Sequence, residues 1–192
     1  AGDLDLRDFH GAPPEVRASS ALSGHDPAAV LDGSPRTSWR SEAAPSPQWI
    51  ALDFQAEREY GGLVVDWEPR RGARAFEVQT SNDGTAWTTA WTAHQAEGDR
   101  SYVSLPGGAS RFIRLDLLEA QSGAGFRITE IGVRPSDFSL TPDEFFHNVA
   151  QEQRRGLHPR WLVREQSYWT PIGVASGSDS ALLNEEGLLE VD

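Results

Sequence analysis

The stretch "AVLDGSPRTSWRSE", Ala29 to Glu42, gathers oxygen-bearing side chains around one tryptophan. Asp32-Gly33 sets a carboxylate beside a residue that permits a sharp turn, and Thr37 adds a hydroxyl and a carbonyl. Calcium takes about six to eight oxygens from carboxylates, hydroxyls and backbone carbonyls, and a loop folded back on itself supplies several from few residues. The competing reading is structural: Asp32 merely closes an Asx turn. Trp39 reads as an anchor behind the loop, because an indole fills core space more often than it meets ligand. Sugar binding is the third chemistry to weigh. It needs planar hydrogen-bonding groups for hydroxyls and an apolar surface for C–H faces.

The elements that must position these residues are strands. From about 18 to 134, "QWIALDF" (48–54), "GGLVVDWE" (61–68), "AFEVQTS" (75–81), "SYVSLP" (101–106), "RFIRLDLLEA" (111–120) and "RITEIGVRP" (127–135) alternate or cluster apolar residues. Asn82-Asp83-Gly84, Pro106-Gly107-Gly108 and Ser122-Gly123 punctuate them. Short strands at this spacing predict an antiparallel sandwich or barrel. Within "FIRLDLL", Ile113, Leu115 and Leu117 share the core face, and Phe112, Arg114, Asp116 and Leu118 the other. Thr141 as cap, Pro142 in the first turn and Asp143 and Glu144 at the positive end predict one helix over 142–155. Beyond it, "SYWTPIGV" and "ALLNEEGLLEV" read as strands of a further domain.

The 192 residues carry a net charge of −12 without any basic block, which disfavours nucleic acid and anionic membrane surfaces as partners. No apolar run approaches the roughly 20 residues needed to span a bilayer. Cysteine is absent, which excludes disulfides and thiolate metal sites. Methionine is absent too, so the chain is expected to be processed or excised from a longer protein, secreted, periplasmic or at the cell surface.

The segments "AVLDGSPRTSW", "WIALDF", "VVDWE", "FEVQTSNDGTAW", "RFIRLDLLEA" and "ITEIGV", in that order, resemble the discoidin or coagulation factor 5/8 type C family, whose bacterial members overlap carbohydrate-binding module family 32. The resemblance implies an all-β fold: a jelly-roll antiparallel β-sandwich over 18–135, after a lead-in of 1–17. A helix-containing linker and the start of a second β-rich domain would occupy 136–192. The tail is similar to segments that follow such modules in large bacterial glycosidase-like proteins.

The same resemblance implies site residues. A structural Ca²⁺ would be held by Asp32, Ser34 (where the family usually has Asp or Asn), Thr37 and Glu130 of "ITEIGV". A carbohydrate would be held at one loop end by Arg40, Arg70, Arg71, His25 and a stacking face on Phe126. Trp49, Trp67 and Trp87 match core positions of the family. The function so implied is that of an accessory carbohydrate-binding module that directs an attached glycoside-active enzyme to a glycan. Its partners would be the glycan and a downstream domain of the same chain. A ligand-free structural spacer is the alternative. A phospholipid-binding domain ranks lower, since that would call for apolar loop spikes ringed by basic residues. No catalytic residue is expected in this fragment: a hydrolase needs two converging carboxylates, and Glu165, Glu185 and Glu186 all lie in the tail.

Overall fold

The computed structural model describes residues 14–43, 47–122 and 125–152. Seven strands form one connected antiparallel sheet: β1 (Glu15–Ala18), β2 (Trp39–Arg40), β3 (Gln48–Trp67), β4 (Ala73–Ser81), β5 (Thr88–Ala93), β6 (Arg100–Ala120) and β7 (Arg127–Arg134). They run β2-β7-β3-β6-β4-β5, with β1 added beside β3.

Two long strands turn this single ladder into a sandwich. The first half of β3 pairs with β1 and with residues 112–117 of β6, whereas its second half pairs with β7 and with residues 100–104. The register shifts between Asp53 and Arg58 and again between Tyr60 and Gly62. Such irregularities bend a strand and re-aim its side chains. The core face accordingly changes parity, from Ile50, Leu52 and Phe54 to Leu63, Val65 and Trp67, and both sets enter one buried cluster with Ile113, Leu115 and Leu117. The alternation in "FIRLDLL" is therefore realised as the sequence implies. Trp39 is fully buried in this cluster, with its indole N–H donated to the Ser20 carbonyl at 2.9 Å.

The sheet begins at Glu15, so the last residues of the expected lead-in belong to the sandwich. The run "TTAWTA" forms β5, a strand that the sequence analysis did not assign.

The outer faces of the two layers differ. On one, helix α1 (Pro142–Glu152) covers Val64 and Tyr102 through Val149, with Phe138 and Phe145 beside it. Thr141 caps its start as expected, and Glu144 completes a capping box: Thr141 Oγ1 accepts from Glu144 N–H at 3.2 Å, and a Glu144 carboxylate oxygen accepts from Thr141 N–H at 3.1 Å. Gly62 makes the close packing possible, since a Cβ there would sit 2.3 Å from the Val103 carbonyl and 2.7 Å from the Phe138 ring. The other outer face, on β1, β3, β6 and β4, carries Trp49, Ala51, Asp53, Phe112 and Arg114. Trp67 is buried as a core position should be, but Trp49 and Trp87 are half-buried and line a groove on this second face. That corrects their assignment to the core. The strands expected after the helix lie outside the described residues. No helix among the described residues is long and apolar enough to cross a membrane.

Candidate functional site

The loop end of the sandwich is organised around Glu68, the residue after β3. Pro69 and Arg70 (φ 63°) form a turn closed by Arg71 N–H donating to the Glu68 carbonyl at 2.9 Å. Proline second and a left-handed residue third is the type II pattern, and a non-glycine residue in that third position is strained. Glu68 N–H donates to the Arg127 carbonyl at 3.2 Å and Arg127 N–H to the Arg71 carbonyl at 3.0 Å, which stitches this turn to the start of β7.

The Glu68 carboxylate then fixes two guanidiniums. Its Oε1 accepts from Ser38 Oγ at 2.6 Å and from Arg40 Nε and Nη2 at 3.0 and 2.9 Å; its Oε2 accepts from Arg127 Nη1 at 2.9 Å. All three charged side chains are largely withdrawn from solvent: Glu68 is 20 % exposed, Arg127 23 % and Arg40 31 %. Burial alone would raise the Glu68 carboxyl, but the Ser38 hydroxyl and the Arg127 and Arg40 guanidiniums outweigh it and hold the group below its ordinary value. Among the described residues, Arg127 Nε is the buried side-chain donor left without a protein acceptor. A buried donor in that position is suited to an enclosed water.

His25 joins through Ser38. Its Nδ1 lies 3.1 Å from the Ser38 carbonyl oxygen, which can only accept, so Nδ1 donates, and in the neutral ring Nε2 is then an acceptor. Arg71 Nη1 donates to Ser122 Oγ at 3.1 Å, and Arg70 is exposed on the turn. The structure thus brings Arg40, Arg70, Arg71 and His25 to one rim.

Phe126 does not face this rim and must be corrected. It is 2 % exposed and belongs to the core cluster, so its ring offers no stacking face. The cause is local. Ser41 N–H donates to the Phe126 carbonyl at 3.0 Å and Phe126 N–H to Ser41 Oγ at 2.9 Å, which ties the backbone down. Gly125 (φ 79°) allows the approach, because a Cβ there would sit 2.9 Å from Ser41 Oγ.

The rim members that sequence reasoning missed are Glu68, Arg127, Ser38 and Ser122. A signal existed for two of them: Glu68 opens "EPRRG", and Arg127 follows Phe126 in "GFRIT". Their meeting depends on a pairing across 59 residues.

A second cluster forms at the 29–37 loop. Asp32 Oδ1 accepts from Ser34 N–H at 2.8 Å, an Asx turn, and Thr37 Oγ1 lies 2.9 and 2.7 Å from the two Asp32 oxygens. Glu130 Oε2 reaches across from β7 to accept from Gly33 N–H at 3.1 Å. Burial pushes the Glu130 carboxyl up to about 7; the Gly33 amide opposes this, and Asp32 and Asp66 add to it. A half-buried carboxylate beside a second one is a donor set that suits a hard, oxygen-seeking cation. Among the described residues no three acidic or imidazole groups gather, so hydroxyl and carbonyl oxygens would have to complete the shell.

Comparison with known proteins agrees with this architecture. The chitosan-binding module 2 of a chitosanase/glucanase from Paenibacillus sp. IK-5, solved with chitotriose, superposes with a TM-score of 0.60 at 25% identity over 63% of this chain and 95% of that one. The family 32 carbohydrate-binding module of C. perfringens NanJ, solved with galactose, gives 0.56 at 19% identity over 62% and 92%, which speaks for the fold alone. An alpha-(1->3)-arabinofuranosyltransferase of Mycobacterium tuberculosis is 28% identical over 145 residues, 72% of this chain, but the match spans 10% of that protein. The F5/8 type C domain description matches residues 15–131. The chain therefore belongs to the F5/8 type C domain family, with the β-sandwich of carbohydrate-binding modules.

Proposed function

We propose that this domain is an accessory carbohydrate-binding module that holds a glycan at the Glu68 rim on behalf of an enzyme carried by the same polypeptide. The observation that carries the reading is the Glu68 carboxylate fixing Arg40 and Arg127 in place. Guanidiniums oriented before the ligand arrives lose little freedom on binding, and their planar forks suit vicinal hydroxyls. His25 Nε2 adds an acceptor and Arg71 further donors. The chitosan-binding module and the arabinofuranosyltransferase among its relatives support the ligand class. They also support a polysaccharide-active parent, although they divide between a chitosanase/glucanase and an arabinofuranosyltransferase. That division moves the parent from the expected glycoside hydrolase to the broader class of glycan-active enzymes. Location outside the cytoplasm follows from the same reading.

In this reading the rim binds the sugar without acting on it. The carboxylate that could act as an acid or base is committed to two arginines and a hydroxyl. Affinity should be weak, because a shallow rim gains little beyond the cost of association. A glycan array presenting hexosamine, galactose and arabinofuranose oligomers tests the reading. Reproducible hits of one sugar class are expected, and an array without hits at high protein concentration would favour the spacer alternative.

We also propose that Asp32, Thr37 and Glu130, with Ser34 and carbonyls of the 29–34 loop, hold a structural Ca²⁺. When bound, the ion would supply charge neutralisation between two carboxylates. The residues themselves tie the 29–37 loop to β7, which brings early and late parts of the sandwich together.

A further inference from the structure

The outer face that no described element covers holds a cavity of about 350 Å³, within the size range of small-molecule sites. It shares no residue with the Glu68 rim. Trp49 from β3, Trp87 from the turn before β5 and Phe112 from β6 give it aromatic walls, and Ala51 lies among them. None of these rings is fully buried.

The walls are held in place by the protein itself. The Arg114 guanidinium stacks 4.1 Å from the Trp87 ring centre, and Phe112 meets Trp87 edge to face at 6.2 Å and 67°. The turn that carries Trp87 is closed by Asp83, whose Oδ1 accepts from Thr85 N–H at 2.7 Å and Ala86 N–H at 2.8 Å. At Gly84 a Cβ would sit 3.2 Å from the Phe112 ring, so the turn lies directly on that side chain.

Two arginines line the cavity beside these rings: Arg17, which is paired with Glu15 at 3.2 Å, and Arg111, which forms a polar fork. Arg111 Nε and Nη2 donate to the two oxygens of Asp53 at 2.8 and 2.9 Å. The Asp53 side chain is 7 % exposed while that of Arg111 is 42 % exposed, so the carboxylate serves as a buried brace for an accessible guanidinium. A guanidinium has five N–H donors, and two of them are used on Asp53. The acids that line the cavity, Asp53 and Asp83, are both satisfied by the protein. Paired charges beside aromatic faces favour an uncharged ligand with both C–H and O–H surfaces.

We propose that this groove is a second glycan-binding site that takes a neutral sugar ring, laid against the Trp49 and Trp87 side chains with hydroxyls on Arg111. Its location rests on the groove alone; its ligand class rests on the sugar-binding reading above. Two sites on one module would strengthen attachment to a polymer by effective concentration, without new contacts at either.

Titration of the ¹⁵N-labelled chain with cellotriose, tri-N-acetylchitotriose and a galactotriose, followed by indole and backbone N–H signals, tests it. At least one trisaccharide should shift the Trp49 and Trp87 indoles saturably while the buried Trp39 indole stays still. Trp87→Ala and Arg111→Gln, each with an unmoved Trp39 signal as a check on folding, should weaken that response roughly tenfold or more, as for removal of a binding anchor. Shifts at the Arg40 and Arg127 amides with still groove indoles would overturn the second site and leave the rim reading standing. Groove shifts with a silent rim would do the reverse. Silence at both places would overturn both.

Discussion

Arg127 donates through Nη1 to Oε2 of Glu68 at 2.9 Å, a contact between residues 59 positions apart in the chain. Because Arg40 and Ser38 hold the other oxygen, this one carboxylate joins the strand end before the Arg70 turn to β2 and to the start of β7. The rim keeps its shape through that junction.

Glu68→Gln should therefore lower the melting temperature and weaken glycan binding together. Taking the charge from a largely buried carboxylate with charged partners costs about 1–3 kcal/mol. Thermal unfolding followed by circular dichroism reads the first effect. A midpoint equal to that of the wild type would mean that Glu68 does not brace the rim.

Phe126→Ala should destabilise the domain by about 3–5 kcal/mol, the usual cost of truncating a core phenylalanine. Urea denaturation measures it. A variant of unchanged stability that had lost glycan binding would return Phe126 to the ligand.

The roles of Phe126, Trp49 and Trp87 mark where the sequence stops being legible. Alternation within one strand told which residues of "FIRLDLL" share a face, and Ile113, Leu115 and Leu117 are indeed the buried set. Which face receives a cover is a tertiary fact. Helix α1 covers the layer with Val64 and Tyr102 and no described element covers the layer with Trp49, so equally aromatic residues end in opposite environments. Phe126 is turned inward by Ser41, 85 residues earlier, and no local pattern encodes that bond. The Asp32-Thr37 contact, five residues apart, was readable because both partners lie in one loop. β5 escaped notice because its exposed edge gives "TTAWTA" little apolar alternation.

Acid should destabilise the domain in a defined window. Glu68 is held below its ordinary 4.5, and Asp53 is held below its ordinary 3.8, chiefly by hydrogen bonds from Arg111. A carboxyl lowered in the folded state stabilises fully above its unfolded value and loses that contribution as pH falls through the folded one. Unfolding midpoints should thus drop below about pH 4, and Asp53→Asn should flatten the drop. The opposite shift of Glu130 acts between 4.5 and about 7, and so leaves this window clear. Midpoints that rise on acidification below about pH 4 would contradict the assignment.

Calcium should raise the melting temperature and a chelator should lower it, because an ion bound only by the folded state shifts unfolding by mass action. Glu130→Gln should abolish the difference, since it removes one of the two carboxylates. Identical midpoints with calcium and with chelator would leave Asp32 as the closure of an Asx turn alone.

Isothermal titration calorimetry with the strongest array ligand, on the wild-type chain and on Arg71→Ala, decides whether the rim holds a glycan. Arg71 reaches only Ser122 in the described side-chain network, so its truncation should remove donors from the rim at little cost to folding. Measurable heats for the wild type, lost in Arg71→Ala at an unchanged melting temperature, are the predicted result. Undiminished binding by Arg71→Ala would contradict the rim, and no heat from the wild type would contradict the carbohydrate-binding function itself.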